Sequence, residues 1–350
     1  MAYRNHPGTL CAGRPRLRIW IWACLGAVLL GFPWAAGPAA AAPAVDPRTT
    51  AVATFGERFS AELYAGYLKG QSREVVYNAA TGQQISELFW SIDRAYVAGL
   101  TLSARPVERL KLSIGGWTTV SSSNTMDDYD WTTGFADWTE WSHHSDTKLH
   151  QAYMIDARAA FTLASLKEPP EAGPPRRIRH ASLDLIGGYR WFKLDWTAYG
   201  GSFIYSSGGF RNRTMQFPES QAVISYEQWW EVPYLGLGGR LGLDRWTLSA
   251  EVIGSLWGKG RDRDDHHLRT LLFEDSFSPV SMIAVNAGVD YDLTQRLSLF
   301  ARFDYERFFE GKGPTTTTNY RTGAVLTDNG DAAGGDFWTT VYALGLKLRF

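Results

Sequence analysis

The feature that most restricts what this chain can fold into is alternation. In Leu297–Tyr305, the residues Leu297, Leu299, Ala301, Phe303 and Tyr305 fall on one face of an extended strand. Ser298, Phe300, Arg302 and Asp304 fall on the other, because strand side chains project to opposite faces with period two. The same pattern runs through Met282–Leu293, Trp246–Val252 and Tyr153–Leu163, and recurs at Arg109–Trp117, Ser182–Trp191 and Val341–Phe350. Beyond the N-terminal leader, no stretch is apolar enough for a spanning helix of about 20 residues.

Two architectures use such strands. A soluble sandwich turns its apolar faces inward. An outer-membrane barrel turns them outward and keeps a polar lumen. Three observations favour the barrel. The polar faces carry Asp, Glu and Arg together, Tyr and Trp gather toward strand ends, and the final alternating strand ends on Phe350. The expected fold is therefore all-β, a ten-stranded antiparallel transmembrane β-barrel with long extracellular loops. Its strands fall near 57–70, 84–103, 108–120, 147–165, 180–205, 221–242, 245–257, 279–293, 296–309 and 337–350. Turns at Arg105–Glu108, Leu243–Arg245 and Asp292–Arg296 are short, while the segments near 71–83, 118–146, 206–220, 258–278 and 310–336 are mostly long. The Pro-rich stretch Lys167–Arg179 is long where a short turn is expected. The long segments 118–146 and 258–278 share the outer rim.

The leader fits this compartment. Arg14, Arg16 and Arg18 precede an apolar run from Ile19 to Phe32 and the small residues Ala39–Ala42, the layout of a cleaved secretory signal over residues 1–42. Both cysteines, Cys11 and Cys24, lie within it, so the mature chain from residue 43 has neither a disulfide nor a thiolate nucleophile. Removing the leader's four arginines takes the formal charge from −1 to −5, which argues against nucleic acid as a partner.

Two rim segments concentrate reactive side chains. In Arg261–Phe273, RDRDDHHLRTLLF, an extended backbone puts Asp262, Asp264 and His266 on one face, where a carboxylate can orient an imidazole to take a proton. A solvated, charged loop is the plainer reading of the same residues. In Met126–Trp131, MDDYDW, Asp128 and Asp130 are again two apart. Close carboxylates resist joint ionisation and can share a proton over a water, and a solvated acidic turn is again the alternative. Five of the six mature histidines, His143, His144, His150, His266 and His267, lie in or beside these segments. They lack a recognisable ligand spacing, so no metal is expected. Ser142 with His144 or His266 could in principle make a serine hydrolase, but no G-x-S-x-G elbow surrounds it.

Taken in order, GWTT (Gly116–Thr119), MDDYDW, WTEWSHHSDT (Trp138–Thr147), GGSFIYSSGGFRN (Gly200–Asn212), VPYLGL (Val232–Leu237) and DRDDHH (Asp262–His267) resemble the omptins, ten-stranded outer-membrane proteases of Gram-negative bacteria. The resemblance covers about Glu62 to Phe350. It implies a catalytic set of Asp128 and Asp130 facing Asp264 and His266, with a water between the pairs attacking the scissile carbonyl. It also implies an endopeptidase acting on peptide or protein substrates beside basic residues. Glu74 and Asp262 would form the acidic specificity pocket, and Glu140 would stand where the family's W-T-D acid lies, one methylene longer. Ser142 and His144 would support the cleft, and no cofactor is implied beyond outer-membrane lipid.

The departures concern that lipid. Omptins contact lipopolysaccharide through an outward patch, which here keeps Tyr189 but has Trp191 for its acid, Lys193 for an arginine, Trp229 for another arginine and a residue near Ser278 for a lysine. The expected requirement for lipopolysaccharide is correspondingly reduced. The competing class is an inert barrel acting as porin or adhesin, with Lys312–Gly335 as a mobile adhesive loop.

Overall fold

The computed structural model describes residues 58–131, 136–167 and 178–350. The expected signal peptide, residues 1–42, and most of the Pro-rich stretch lie outside the described residues. Among the described residues there are twelve strands, not the ten expected: β1 (Phe59–Asn78), β2 (Gln83–Val107), β3 (Leu110–Asp130), β4 (Glu140–Lys167), β5 (Ile178–Tyr199), β6 (Ser202–Tyr205), β7 (Arg213–Gln216), β8 (Ala222–Leu243), β9 (Trp246–His266), β10 (Leu271–Asp292), β11 (Leu297–Asn319) and β12 (Ala324–Arg349). The ten long strands pair antiparallel in a ring that closes where β1 meets β12 and β3 meets β4. The added pair, β6–β7, is a hairpin resting on β4. The chain leaves β5 for that hairpin at Gly200 and Gly201, both at positive φ, which breaks the strand expected over 180–205.

The long strands outrun the expected spans because ladder hydrogen bonds do not depend on side-chain alternation. Once the ring is closed, each strand continues pairing above the region where its outer face is aliphatic. Three expected outer loops therefore become four-residue turns, Ala79–Gly82, His267–Thr270 and Tyr320–Gly323. The segment expected as a mobile loop over Lys312–Gly335 is instead β11–β12 ladder, paired from Gly311↔Gly335 to Gly313↔Ala333 and, past a register shift, from Thr315↔Asp328 to Asn319↔Ala324.

Register decides what faces where. Leu299, Leu346, Leu63 and Leu100 stand in one row across four strands, as do Leu185, Leu237, Val252 and Val285 across four others. All eight are exposed on the outer surface and form part of an apolar belt of the kind a bilayer covers. The inside is filled in two layers. Toward the termini lies a polar cavity of about 830 Å³, crossed by ion pairs. Arg190 bridges Asp156 and Glu306, Arg158 joins Asp156 (3.0 Å) to Glu251 (2.7 Å), and Glu62 holds Arg302 and Lys347. Above it an aromatic layer closes the lumen. Trp90 stacks on Tyr226 with centroids 5.2 Å apart, Trp230 lies 5.1 Å from Phe308, and Phe192 meets Phe308 and Phe337 at 5.6 and 5.5 Å. Such pairs each contribute roughly 0.5–1.5 kcal/mol beyond their area.

Removing Arg190 leaves two buried carboxylates short of their partner, a change that costs about 3–5 kcal/mol when a buried pair is broken. Arg190→Met is expected to lower the urea midpoint of the folded protein in lipid vesicles accordingly, with cleavage at the opposite rim retained under native conditions.

Candidate active site

The ends of β3 and β9 reach the same rim from opposite sides of the ring. On β9, alternation points Asp262, Asp264 and His266 inward, and all three are buried. His266 Nε2 lies 2.6 Å from Asp264 Oδ2. A carboxylate oxygen only accepts, so Nε2 carries the hydrogen and the Nδ1 lone pair is left for other work. The imidazole is wedged edge-on against Phe273, 5.3 Å away. Burial would lower its pKa, but the Asp264 charge and hydrogen bond outweigh that and hold it above the usual 6.5.

On β3, Asp128 and Asp130 turn inward together. Asp128 is buried, while Asp130 is more open. Burial and the neighbouring Asp130 push the Asp128 carboxyl up to about 7. The two pairs sense each other electrostatically: His266 and Asp264 act on Asp128, and Asp128 acts on His266. Arg269, on the β9–β10 turn, reaches across to Asp130 Oδ2 at 3.7 Å. No motif signalled this arginine, because a turn residue three places past His266 returns to the cleft only through the hairpin's geometry.

β4 lies beside β3 and backs the carboxylates. Ser142 is in register with Asp128, and Glu140 with Asp130. His144 Nδ1 donates to the Gly200 carbonyl at 2.6 Å, which leaves its Nε2 to accept the Ser142 hydroxyl at 3.0 Å. Both residues are buried. Burial also lowers the His144 pKa, so the ring is neutral and its tautomer set. Its face stacks on Phe217 at 5.4 Å. The pair therefore forms a wall behind Asp128, and its histidine is oriented by a peptide carbonyl, not a carboxylate. A Cβ at Gly201 would fall 2.2 Å from the His143 carbonyl and 2.9 Å from His144 Nδ1, at a φ of +99°, so the chain passes here only as glycine.

Deeper in the ring, Glu74 on β1 joins Asp262 and a residue not anticipated from sequence, Asp275 on β10, the register partner of Asp262. A relay orients Asp262. Ser72 Oγ (2.7 Å) and Trp230 Nε1 (2.9 Å) donate to Gln228 Oε1, Gln228 Nε2 donates to Tyr226 Oη (2.9 Å), and Tyr226 donates to Asp262 Oδ2 (2.8 Å). Glu74 Oε2, Asp262 Oδ1, Asp264 Oδ1 and Asp275 Oδ1 are buried without a protein partner. Among the described residues, no ion pair satisfies Glu74, Asp262 or Asp275. Burial, reinforced by the other acids, raises the pKa of Glu74 and Asp262 well above the ordinary range.

The outward patch is brought together below this rim. Tyr189 donates to Glu231 at 3.0 Å, and Lys193 pairs with Glu227 at 3.1 Å. Lys193 and Arg261 flank the Trp229 ring at 5.5 and 5.4 Å, and Arg261 also reaches Glu231. Trp191 packs on Tyr153. Arg261 is an addition to the patch expected from sequence.

A model of the Omptin family matches residues 56–350. The chain belongs to the omptin family. It is 32% identical over 296 residues to the plasminogen activator of Yersinia pestis, covering 84% of this chain and 90% of that protein. It is 31% identical over 322 residues to the outer membrane protease OmpP of Escherichia coli, covering 89% and 97%. The crystal structure of the outer membrane protease OmpT from Escherichia coli superposes with a TM-score of 0.77 at 26% identity, covering 84% of this chain and 97% of that one. This omptin is accordingly an outer-membrane endopeptidase.

Gly201→Ala is expected to displace the His144 wall. Backbone strain of this kind costs about 1–3 kcal/mol, and the check is a lowered unfolding midpoint together with a drop in kcat/KM that tracks the loss of Asp128 positioning.

Proposed function

We propose that this omptin spans the outer membrane as a barrel of its ten long strands, with the cleft facing outside. There it hydrolyses peptide bonds beside basic residues with a water held between Asp128/Asp130 and Asp264/His266. The observation that carries this reading is the His266–Asp264 bond, which leaves Nδ1 as the basic nitrogen at a rim lined by a second, proton-sharing carboxyl pair. His266 Nδ1 takes the proton of the water as its oxygen attacks the scissile carbonyl. Asp264 stabilises the imidazolium, and the proton passes to the departing amine. Asp128, titrating near neutrality, and Asp130 hold the water and offer a proton to the developing oxyanion. Glu74 and Asp262, buried without a cation, form the pocket for a basic side chain. Glu140 beside Asp130 adds negative charge for a second basic residue, and Ser142 with His144 keeps Asp128 in place. The aromatic layer across the lumen argues against the porin alternative.

His266→Ala should abolish cleavage of a quenched peptide with an Arg-Arg centre. Asp264→Asn should lower kcat by about 10²–10⁴, the range for a mispositioned general base. The sign of the pH dependence follows from the raised His266 pKa. The base works when neutral, so wild-type kcat falls as pH drops through the His266 pKa, which the Asp264 charge holds above the usual 6.5. Asp264→Asn removes the charge that raises His266, so the residual activity should keep its base deprotonated to a lower pH. A pH–rate profile that does not move would count against this assignment.

We further propose that the patch of Tyr189, Trp191, Lys193 and Trp229 faces lipid. Its cations are already paired with Glu227 and Glu231, so a lipid phosphate must compete with them. Activity in lipopolysaccharide-free phospholipid vesicles is expected to stay within about tenfold of that with lipopolysaccharide, a difference of about 1.4 kcal/mol. Complete inactivity without lipopolysaccharide would refute it.

A further inference from the structure

Of the acids at the rim, Asp275 is the one that neither the catalytic reading nor the two-acid pocket uses. It comes from β10, in register with Asp262 on β9 and with Thr315 on β11. Its side chain is buried, and its Oδ1 has no protein partner. Three further orphan oxygens lie in the same cluster, Glu74 Oε2, Asp262 Oδ1 and Asp264 Oδ1, while Asp262 Oδ2 is taken by Tyr226. A buried carboxylate oxygen left bare is costly unless something fills the space. Four of them together match a planar cation with several N–H donors, which a guanidinium supplies in a fixed fork.

We propose that Asp275 is a third carboxylate of the cation pocket, a specificity-determining residue that binds the substrate's basic side chain jointly with Glu74 and Asp262. The inference rests on reading that pocket as the site for a basic side chain. It adds that the pocket is proton-loaded when empty. Asp262 and Asp275 face each other across one ladder pair, and two carboxyls buried side by side resist joint ionisation, so the empty pair keeps a proton. Burial, with Asp264 nearby, pushes Asp275 up to about 7. The groups facing it are Glu74 from β1, Asp262, Asp264 and, more distantly, His266 from β9, Asp128 from β3 and Tyr226 from β8. Thr315 on β11 is uncharged. A cation entering this group favours the ionised acids and sends the pair's proton to solvent. Basic substrates therefore bind more tightly as pH rises through the value of the empty pocket.

The test uses the folded enzyme in vesicles with lipopolysaccharide, an Arg-Arg-centred peptide, and the same peptide with norleucine in place of the arginine that enters the pocket. KM is read separately from kcat. In the wild type, KM for the arginine peptide should fall roughly tenfold between pH 6 and pH 8, as release of one proton titrating near 7 requires. In Asp275→Asn, KM at pH 8 should rise roughly tenfold, the scale of one charge-assisted hydrogen bond. The two enzymes should converge at pH 6, where the wild-type pair is already half neutralised. Norleucine peptide KM should be alike in both. A wild type that prefers arginine, beside an Asp275→Asn enzyme with the same KM and the same pH slope, would overturn the role of Asp275. A wild type indifferent to arginine or norleucine would instead refute the cation pocket itself. Asp275→Ser, a smaller polar substitution at the same ladder position, is measured in parallel. If neither variant folds, Asp275 is structural and the proposal fails.

Discussion

Everything in this molecule depends on the closure of one hydrogen-bonded ladder. A sheet that ends has a row of unpaired amides and carbonyls at each edge. Here β1 meets β12 and β3 meets β4, so the ten long strands have no free edge along the ring. Closure also locks register, because a slip of one residue would turn every inward side chain outward. Inward at the rim are carboxylates, an imidazole and tyrosines. Outward in the belt are leucine and valine. The same constraint therefore produces an exterior suited to lipid and an interior able to hold a catalytic group.

The interior is divided by what it must hold. Near the termini each buried charge has a partner, as Asp156, Glu306 and Glu62 do. At the rim the balance is uneven: Glu74, Asp262 and Asp275 are buried with no cation among the described residues. Such a cluster lowers stability unless protons or a ligand neutralise it. The aromatic layer between the two regions offsets that cost and fixes the geometry. Tyr226 belongs to both, with its ring stacked on Trp90 and its hydroxyl on Asp262. A site that is over-acidic when empty is suited to a substrate that brings the missing charge.

The length of the strands explains how the proposed active site can stand beyond the apolar belt and still be rigid. Loops would place Asp128 and His266 on mobile tips. Continuous ladder carries both outward on paired backbone, and short turns such as Ala79–Gly82 close it. Where the ladder breaks, at Gly200–Gly201, the hairpin β6–β7 folds back on β4 and helps secure His144 through Gly200 and Phe217.

Local sequence was enough for the all-β class and for placing each carboxylate and imidazole on a shared strand face. Period-two patterning is a local property, and Asp128/Asp130 and Asp264/His266 each share a face at a spacing of two whatever the rest of the chain does. Ordered motifs likewise carried the family. Only the tertiary structure decided what depends on register between distant segments. It extended the strands through stretches without alternation, such as Lys312–Gly335, because backbone pairing leaves no mark in side-chain sequence. It added β6–β7 as a pair of short strands. It brought Arg269 to Asp130, Arg261 to Trp229 and Asp275 to Asp262. No spacing in the chain marks these contacts, since each is set by the partner strand opposite it and by the closed ring that holds that strand there.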